Sequence, residues 1–491
     1  MKSRISIVII VTFFAFLLRL PLLNGSFWMD EAAQAIESMR PFSEQHLISG
    51  DFQPPLYHYW VHFFTNVNLS EAWLRLASLI PGVGVIALIF MLPSSSKQER
   101  AALTVGAVLT SLSAFHVFYS QELRQYMLAA FWAILSWVLL FRWIQEKSRK
   151  TGFALALVHA AGLYSMYVYP FSFLAQGLYV LFHERKHLRG FIGISIIASA
   201  LFTPWIPSFK EQLRVGTTLQ SSLPGWSEVV STPQIKALPM VLLKFSGGGK
   251  SIDLTVFNVL YYGIPLILFA VMVWNARKRV PTYLWYWGGV SVFLSWFVSF
   301  IVPVISPKRV LFALPAFFLL MGYGIQFVRA KQVRKALLIM FIAYQTMGLV
   351  LYWTTPAMQR EDWRTAITTI HRRFSENNTI AVFGFPEPFA PWRFYELRYE
   401  QQYPTVSFPT VPVSKKIADI QMKPSLQYAR VVVFDYLLDL TDPNRYIEAQ
   451  LRENGYRQVG LLDTKNIGFI RVFEREAVQQ IAHTESEINK E

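Results

Sequence analysis

The sequence predicts a mostly α-helical, polytopic membrane protein of about 11 transmembrane helices, with a small extracytoplasmic α/β domain at the C-terminus. Three observations predict this. Of 491 residues, 53% are hydrophobic and only 16% charged, against roughly 25% charged in soluble domains. The apolar residues collect in runs long enough to cross a bilayer, which takes about 20 residues. From Thr354 onward the pattern turns to short strands and helices of a soluble kind. The composition argues against a soluble enzyme and excludes a disordered chain, which needs low hydrophobicity and high charge. Aromatic residues make up 16% of the chain, as suits many positions at membrane–water interfaces. With no cysteine, disulfides, thiolate catalysis and Cys-ligated metals are excluded.

The first span runs from residue 5 to about 23, after Lys2 and Arg4. No small-residue cleavage site follows it, so it reads as a retained anchor rather than a secretion signal. Further runs lie near 71–92, 101–118, 126–144, 151–168, 170–182, 190–207, 253–274, 281–303, 310–328 and 336–353. Every second short loop is basic: Lys97/Arg100, Arg142/Lys147/Arg149/Lys150, Arg185/Lys186/Arg189, Arg277/Lys278/Arg279 and Arg329/Lys331/Arg334/Lys335. Excess Lys and Arg mark the cytoplasmic side. The alternation predicts a cytoplasmic N-terminus in a multi-pass protein of the cell (cytoplasmic) membrane. It also predicts an even number of spans between successive basic loops, hence two in 151–182. From Thr354 onward, 17 basic and 18 acidic residues leave −1, so the first 353 residues, with 29 basic and 13 acidic, carry +16. There it reads as topology rather than as a nucleic-acid surface.

The predicted division is therefore a transmembrane module, 1–353, with a first outer loop at about 24–70, and an extracytoplasmic α/β domain, 354–491. In that domain, Thr379-Ile-Ala-Val-Phe, Ala429-Arg-Val-Val-Val-Phe and Ile467-Gly-Phe-Ile-Arg-Val-Phe read as strands. Residues 361–374 and 445–455 read as helices, and the tail after about Glu476 is polar.

The chemistry-bearing residues lie at the predicted outer face. Asp30 and Glu31 follow the first span directly. They read either as acids of a first helical turn or as a general base at the membrane surface, since an Asp within hydrogen-bond reach of a hydroxyl can take its proton. As hard oxygen ligands they also fit a divalent metal such as Mg or Mn. Asp51-Phe-Gln53-Pro-Pro-Leu-Tyr57-His58 sets a rigid Pro pair before an aromatic helix, read as an interfacial anchor or a substrate contact. His58 and His62 share a helix face, but no third metal ligand is near. Tyr119-Ser-Gln-Glu122-Leu-Arg124-Gln-Tyr126 places a Glu and an Arg between apolar helices, where ionisable groups face a polar cavity or each other. Ser306-Pro-Lys308-Arg309 puts two cations on the outer side, suited to an anion and above all to phosphate. Tyr164 and Tyr167 belong to an aromatic cluster that suits a sugar, a lipid tail or simple packing. Ser246-Gly-Gly-Gly-Lys-Ser lacks the first glycine of a phosphate loop.

In order, Asp30-Glu31-Ala32, Gln53-Pro-Pro-Leu-Tyr57, Ser120-Gln-Glu-Leu-Arg-Gln-Tyr126 and Lys308-Arg309 before Leu311-Phe-Ala-Leu-Pro315 resemble glycosyltransferase family 39 of the GT-C superfamily. Protein O-mannosyltransferases and lipid A aminoarabinose transferases are relatives, and Asp362-Trp363-Arg364 is similar to bacterial members. The resemblance covers most of residues 1–370. It implies an integral-membrane glycosyltransferase that moves a sugar from a polyprenyl-phosphate donor to an extracytoplasmic acceptor with inversion. Asp30, with Glu31 beside it, would be catalytic. Arg124, Lys308 and Arg309 would bind the donor phosphate. Gln53, Tyr57, Glu122, Tyr126, Tyr164 and Tyr167 would line the substrate site. The chain departs from aminoarabinose transferases at Gln53, where they tend to carry Lys. A transporter or lipid flippase is the alternative class. It would place charged or broken-helix sites near the bilayer midplane and often repeat its halves, whereas here the ionisable groups gather at one face.

Overall fold

The computed structural model describes residues 2–48, 51–222, 234–249, 255–302, 304–384, 389–408 and 412–475. The chain is mostly helical and carries one five-stranded sheet near its C-terminal end. It divides into two compact units. One holds Met1–Asn24, Glu37–Val215 and Val230–Met358; the other holds Gly25–Ile36, Gly216–Val229 and Gln359–Glu491.

Each of the eleven apolar runs of the first unit is mainly helical among the described residues, but they do not form eleven full-length spans. Among the described residues, five helices are long and apolar enough to cross a membrane, or six if one bent pair is a single span. The shortfall from the expected eleven has local causes. At Ser113 the helix Lys97–Leu112 ends, and the Ser113 hydroxyl caps the next helix, Ala114–Ser120, by accepting from the His116 N–H. The two axes bend by 63°. The run at 281–303 is divided among Thr282–Leu284, a π-helical stretch at Trp285–Val290 and Ser291–Val298. The 151–182 stretch does hold two helices, Arg149–Leu163 and Tyr169–His183, each only 15 residues long.

The basic loops cap neighbouring helices. Lys147 takes a left-handed conformation (φ 52°) after Tyr126–Glu146, and the Ser148 hydroxyl then accepts from the Thr151 N–H to start the next helix. Leu314–Gln326 begins with Pro315, whose missing N–H costs nothing in a first turn. That helix lies close against Lys97–Leu112. A Cβ at Gly322 would fall 2.3 Å from the Ala102 carbonyl oxygen, so only glycine permits the approach. Small residues serve in this way wherever helices meet backbone to backbone in lipid. Trp137 and Trp287 are fully buried in the core around these helices.

The sheet of the second unit runs β2 (Thr405–Val406), β1 (Thr379–Val382), β3 (Arg430–Phe434), β5 (Gly468–Arg475) and β4 (Tyr456–Thr464). β1 is parallel to β2 and β3, while β5 is antiparallel to β3 and β4. Ile380, Val382, Val431, Val433 and Phe473 form a core with Ile447 and Leu451 of the helix Tyr446–Glu453. The β4–β5 turn uses two positive-φ residues, Asn466 (60°) and Gly468 (90°). Asp362 caps Trp363–Arg373 by accepting from the Thr365 N–H at 3.2 Å. The predicted polar tail lies outside the described residues.

Candidate functional site

In the first unit, many of the predicted residues join one polar network. Pro55 is the N-cap of Leu56–Thr65, and the Leu56 N–H donates to the Tyr164 carbonyl at 3.0 Å. Tyr57 hydroxyl and Ser78 hydroxyl lie 2.5 Å apart, and Ser78 donates to the Arg124 carbonyl at 3.2 Å. Asp51 is the centre of the network. Its carboxylate accepts from the Gln53 amide, lies 3.1 Å from His58 Nε2 and is 3.6 Å from the Arg124 guanidinium. Burial alone would raise its pKa, but Arg124, His58 and the Gln53 amide together pull it down to about 2. The backbone around Asp51 is fastened by Gln212, whose amide donates to the carbonyls of Ile48 (2.7 Å), Asp51 and Gln53 (3.1 Å). Gln212 in turn accepts from the Tyr167 hydroxyl, which accepts from Trp205 Nε1 at 2.8 Å.

The two predicted outer cations have contacts of their own. Lys308 Nζ lies 5.7 Å from the centre of the Tyr126 ring, within cation–π range. The Arg309 guanidinium donates to the Val304 carbonyl at 3.1 Å. Glu122 is buried in the turn, and its carbonyl accepts from the Arg124 N–H at 2.7 Å. That turn is held from below by Arg19. This fully buried guanidinium donates to Ser120 Oγ at 3.0 Å and contacts His116 Nδ1 at 2.7 Å, and the Gln121 amide returns a bond to the Arg19 carbonyl at 2.8 Å.

In the second unit, Asp30 and Glu31 form the first turn of the helix Met29–Met39. The two carboxylates have different settings. Glu31 is fully buried, and the Arg360 guanidinium, also buried, lies 3.3 Å from it. Asp30 is half-buried. Nearby, the Tyr436 hydroxyl donates to Glu361 at 3.0 Å, and Trp363 Nε1 donates to the other oxygen of the same carboxylate at 2.8 Å. Burial, the charge of Glu361 and that of Asp30 push the Tyr436 phenol far above its ordinary range, so it stays a donor.

A metal at Asp30 and Glu31 does not suit this donor set. Glu31 is taken by Arg360, and among the described residues no three His, Asp or Glu side chains converge. His58 and His62 are likewise engaged separately. His58 meets Asp51 and Gln53, whereas His62 Nδ1 is 2.9 Å from the Ser38 carbonyl.

No family model and no curated protein matches this sequence. Among solved structures, the chain is similar to ArnT from Cupriavidus metallidurans in the apo state. The identity is 13%, the match covers 96% of this chain and 98% of that one, and the TM-score is 0.56. The same ArnT bound to undecaprenyl phosphate matches at 13% identity over 96% and 98% of the two chains, with a TM-score of 0.55. The Archaeoglobus fulgidus oligosaccharyltransferase in complex with Zn and sulfate matches at 12% identity over 94% and 72%, with a TM-score of 0.53. The chain has the GT-C fold.

Within the GT-C frame, several residues that reading the sequence did not single out carry the polar contacts: Asp51, Gln212, Arg19 and Arg360. Asp51 stood in plain view two residues before Gln53. Arg19 is marked by its place inside the first apolar run, where an ionisable group needs partners; Gln212 and Arg360 give no local signal, because each acts on a segment far away in the chain.

Proposed function

We propose that the protein is an integral-membrane glycosyltransferase of the cell (cytoplasmic) membrane. It moves a sugar from a polyprenyl-phosphate carrier to an extracytoplasmic acceptor, which is a cell-envelope glycan, lipid or protein. The observation that carries this reading is the whole-length GT-C likeness to an ArnT that binds undecaprenyl phosphate. The N-terminus is cytoplasmic, and the C-terminal region, 354–491, faces outward, as the basic loops require.

The chemistry follows from the residue types. Asp30 takes the proton of the acceptor hydroxyl, whose oxygen attacks the anomeric carbon. The bond from that carbon to the phosphate oxygen breaks, and the carrier leaves as a polyprenyl phosphate. Attack opposite the leaving group inverts the anomeric centre. The leaving group needs cations more than a protonating acid, and Arg124, Lys308 and Arg309 supply them as preorganised charge. Gln53, Tyr57, Glu122, Tyr126, Tyr164 and Tyr167 shape the surrounding substrate contacts. Glu31 supports Asp30 rather than exchanging protons itself, because its carboxylate is committed to Arg360. Gln53, where aminoarabinose transferases tend to have Lys, gives its amide to Asp51. The donor therefore meets one cation fewer in this loop.

The test is transfer by purified protein from a panel of labelled undecaprenyl-phosphate-linked hexoses and pentoses, with lipid, glycan and protein fractions separated. One donor is expected to label one fraction. Arg124→Ala and Lys308→Ala should each weaken undecaprenyl phosphate binding by roughly tenfold or more, the loss of one charge-assisted hydrogen bond. Undiminished binding in both variants would remove these residues from the phosphate site. Vectorial movement of the carrier without transfer would favour the flippase class.

A further inference from the structure

We infer that the C-terminal region is the scaffold that positions Asp30, with Arg360 and Tyr395 as its positioning residues. The inference rests on Asp30 being the base, and it assigns the region a part in the reaction. Four residues beyond 359 hold the segment around Asp30. The Arg360 guanidinium meets the buried Glu31 carboxylate at 3.3 Å. The Tyr395 hydroxyl accepts the Phe27 N–H at 2.7 Å and lies 3.1 Å from the Ser26 hydroxyl. The Arg364 N–H donates to Ser26 Oγ at 3.0 Å. The Phe27 ring, fully buried, packs on Phe394 at 5.1 Å between centroids.

These contacts bracket Asp30 on both sides. Ser26 and Phe27 are fixed just before the helix Met29–Met39, and Glu31 is fixed in its first turn. A helix start pinned at both points has little freedom to rotate, so the Asp30 carboxylate keeps one direction. A general base is effective only within hydrogen-bond reach of the proton it takes, and misplacement by about 1 Å can cost roughly 100-fold in rate. The contacts use a largely buried ion pair and a buried phenol where a simple surface loop would need neither. The cost of burying both charges is met only while both partners remain. The segment 25–36 and residues 359–491 fall in the same compact unit.

The chain has no cysteine, which permits a direct test in the full-length protein. Ala33→Cys on the same helix reports the freedom of the segment through its rate of maleimide labelling. In that background Arg360→Gln should raise labelling roughly tenfold or more. Without the reporter it should lower kcat by roughly 100-fold, with KM for the undecaprenyl-phosphate-linked sugar that wild type uses changed less than threefold. Arg360→Lys should recover part of the rate. The neutral pair Glu31→Gln/Arg360→Gln should label more slowly than Arg360→Gln and turn over faster. Should Arg360→Gln fail to accumulate, the neutral pair and Tyr395→Phe carry the test, the latter with a smaller rise in labelling and a smaller fall in kcat. Wild-type labelling and kcat in the variants that accumulate, while Asp30→Asn is inactive, would overturn the scaffold. So would a fall in kcat with labelling unchanged. An active Asp30→Asn would instead overturn the base, and labelling would still decide what holds the segment.

Discussion

Glu31 and Asp51 stand in the same predicted outer loop, and each meets an arginine remote in sequence, but the two pairs differ in their exposure to water. Glu31 and Arg360 have side chains 0% and 8% exposed, whereas Asp51 and Arg124 are 21% and 11% exposed. The first pair is a fastening. Its charges are removed from solvent, and either alone would be costly there. The second retains some solvent and sits at 3.6 Å, loose enough to exchange partners. In the proposed mechanism, a donor phosphate at Arg124 would compete with Asp51 for the same guanidinium. Two acid–arginine pairs in one loop can thus serve unlike ends, one holding a segment and the other holding a cation ready.

The largest expected effect breaks the buried pair. Glu31→Ala should destabilise the protein by about 3–5 kcal/mol, because Arg360 is left buried without its carboxylate. Asp51→Asn should cost only about 1–2 kcal/mol, since Asp51 and Arg124 both keep some exposure to water. Thermal unfolding in detergent compares the two, and equal losses would erase the distinction.

The second effect concerns acid. The Asp51 carboxyl lies below its ordinary range of 3.8, at about 2. A lowered pKa adds stability that is complete above the unfolded value and disappears as pH falls through the folded one. The contribution of Asp51 should therefore be flat above about pH 5 and decline between about pH 4 and 2. Asp51→Asn should remove that part of the acid sensitivity. An unchanged acid limb in the variant would show that Asp51 carries none of it.

The smallest effect sharpens the comparison. Gln212→Ala removes the donor shared by the Ile48, Asp51 and Gln53 carbonyls, at an expected cost of about 1–2 kcal/mol. It should also weaken the Asp51–Arg124 pair, since the backbone of Asp51 loses its strap. A double-mutant cycle with Asp51→Asn would measure the coupling, and strictly additive losses would separate the two residues.

Apolar runs made the helical architecture legible, because the described part of each predicted run is mainly helical. Span number was less so. Ser113 and the π-helical Trp285–Val290 divide helices at points that hydropathy passes over. In the C-terminal unit, the buried strands β1 and β3 stood out as runs of apolar residues, and β5 as an apolar, aromatic stretch. β4 did not, because Tyr456–Thr464 is largely exposed and polar. In the candidate site, Gln53, Tyr57 and Arg124 could be found as neighbours in short motifs, and the structure joins them through Ser78 and Asp51. Arg360 could not. An arginine in a polar stretch has no mark of burial until the fold supplies Glu31.

The central claim is transfer with Asp30 as base, and the most direct measurement is turnover of a labelled polyprenyl-phosphate-linked sugar by wild type and Asp30→Asn at matched protein level. The account predicts a loss of about 100- to 10,000-fold in the variant, with binding of undecaprenyl phosphate retained. Transfer by Asp30→Asn at the wild-type rate would contradict it.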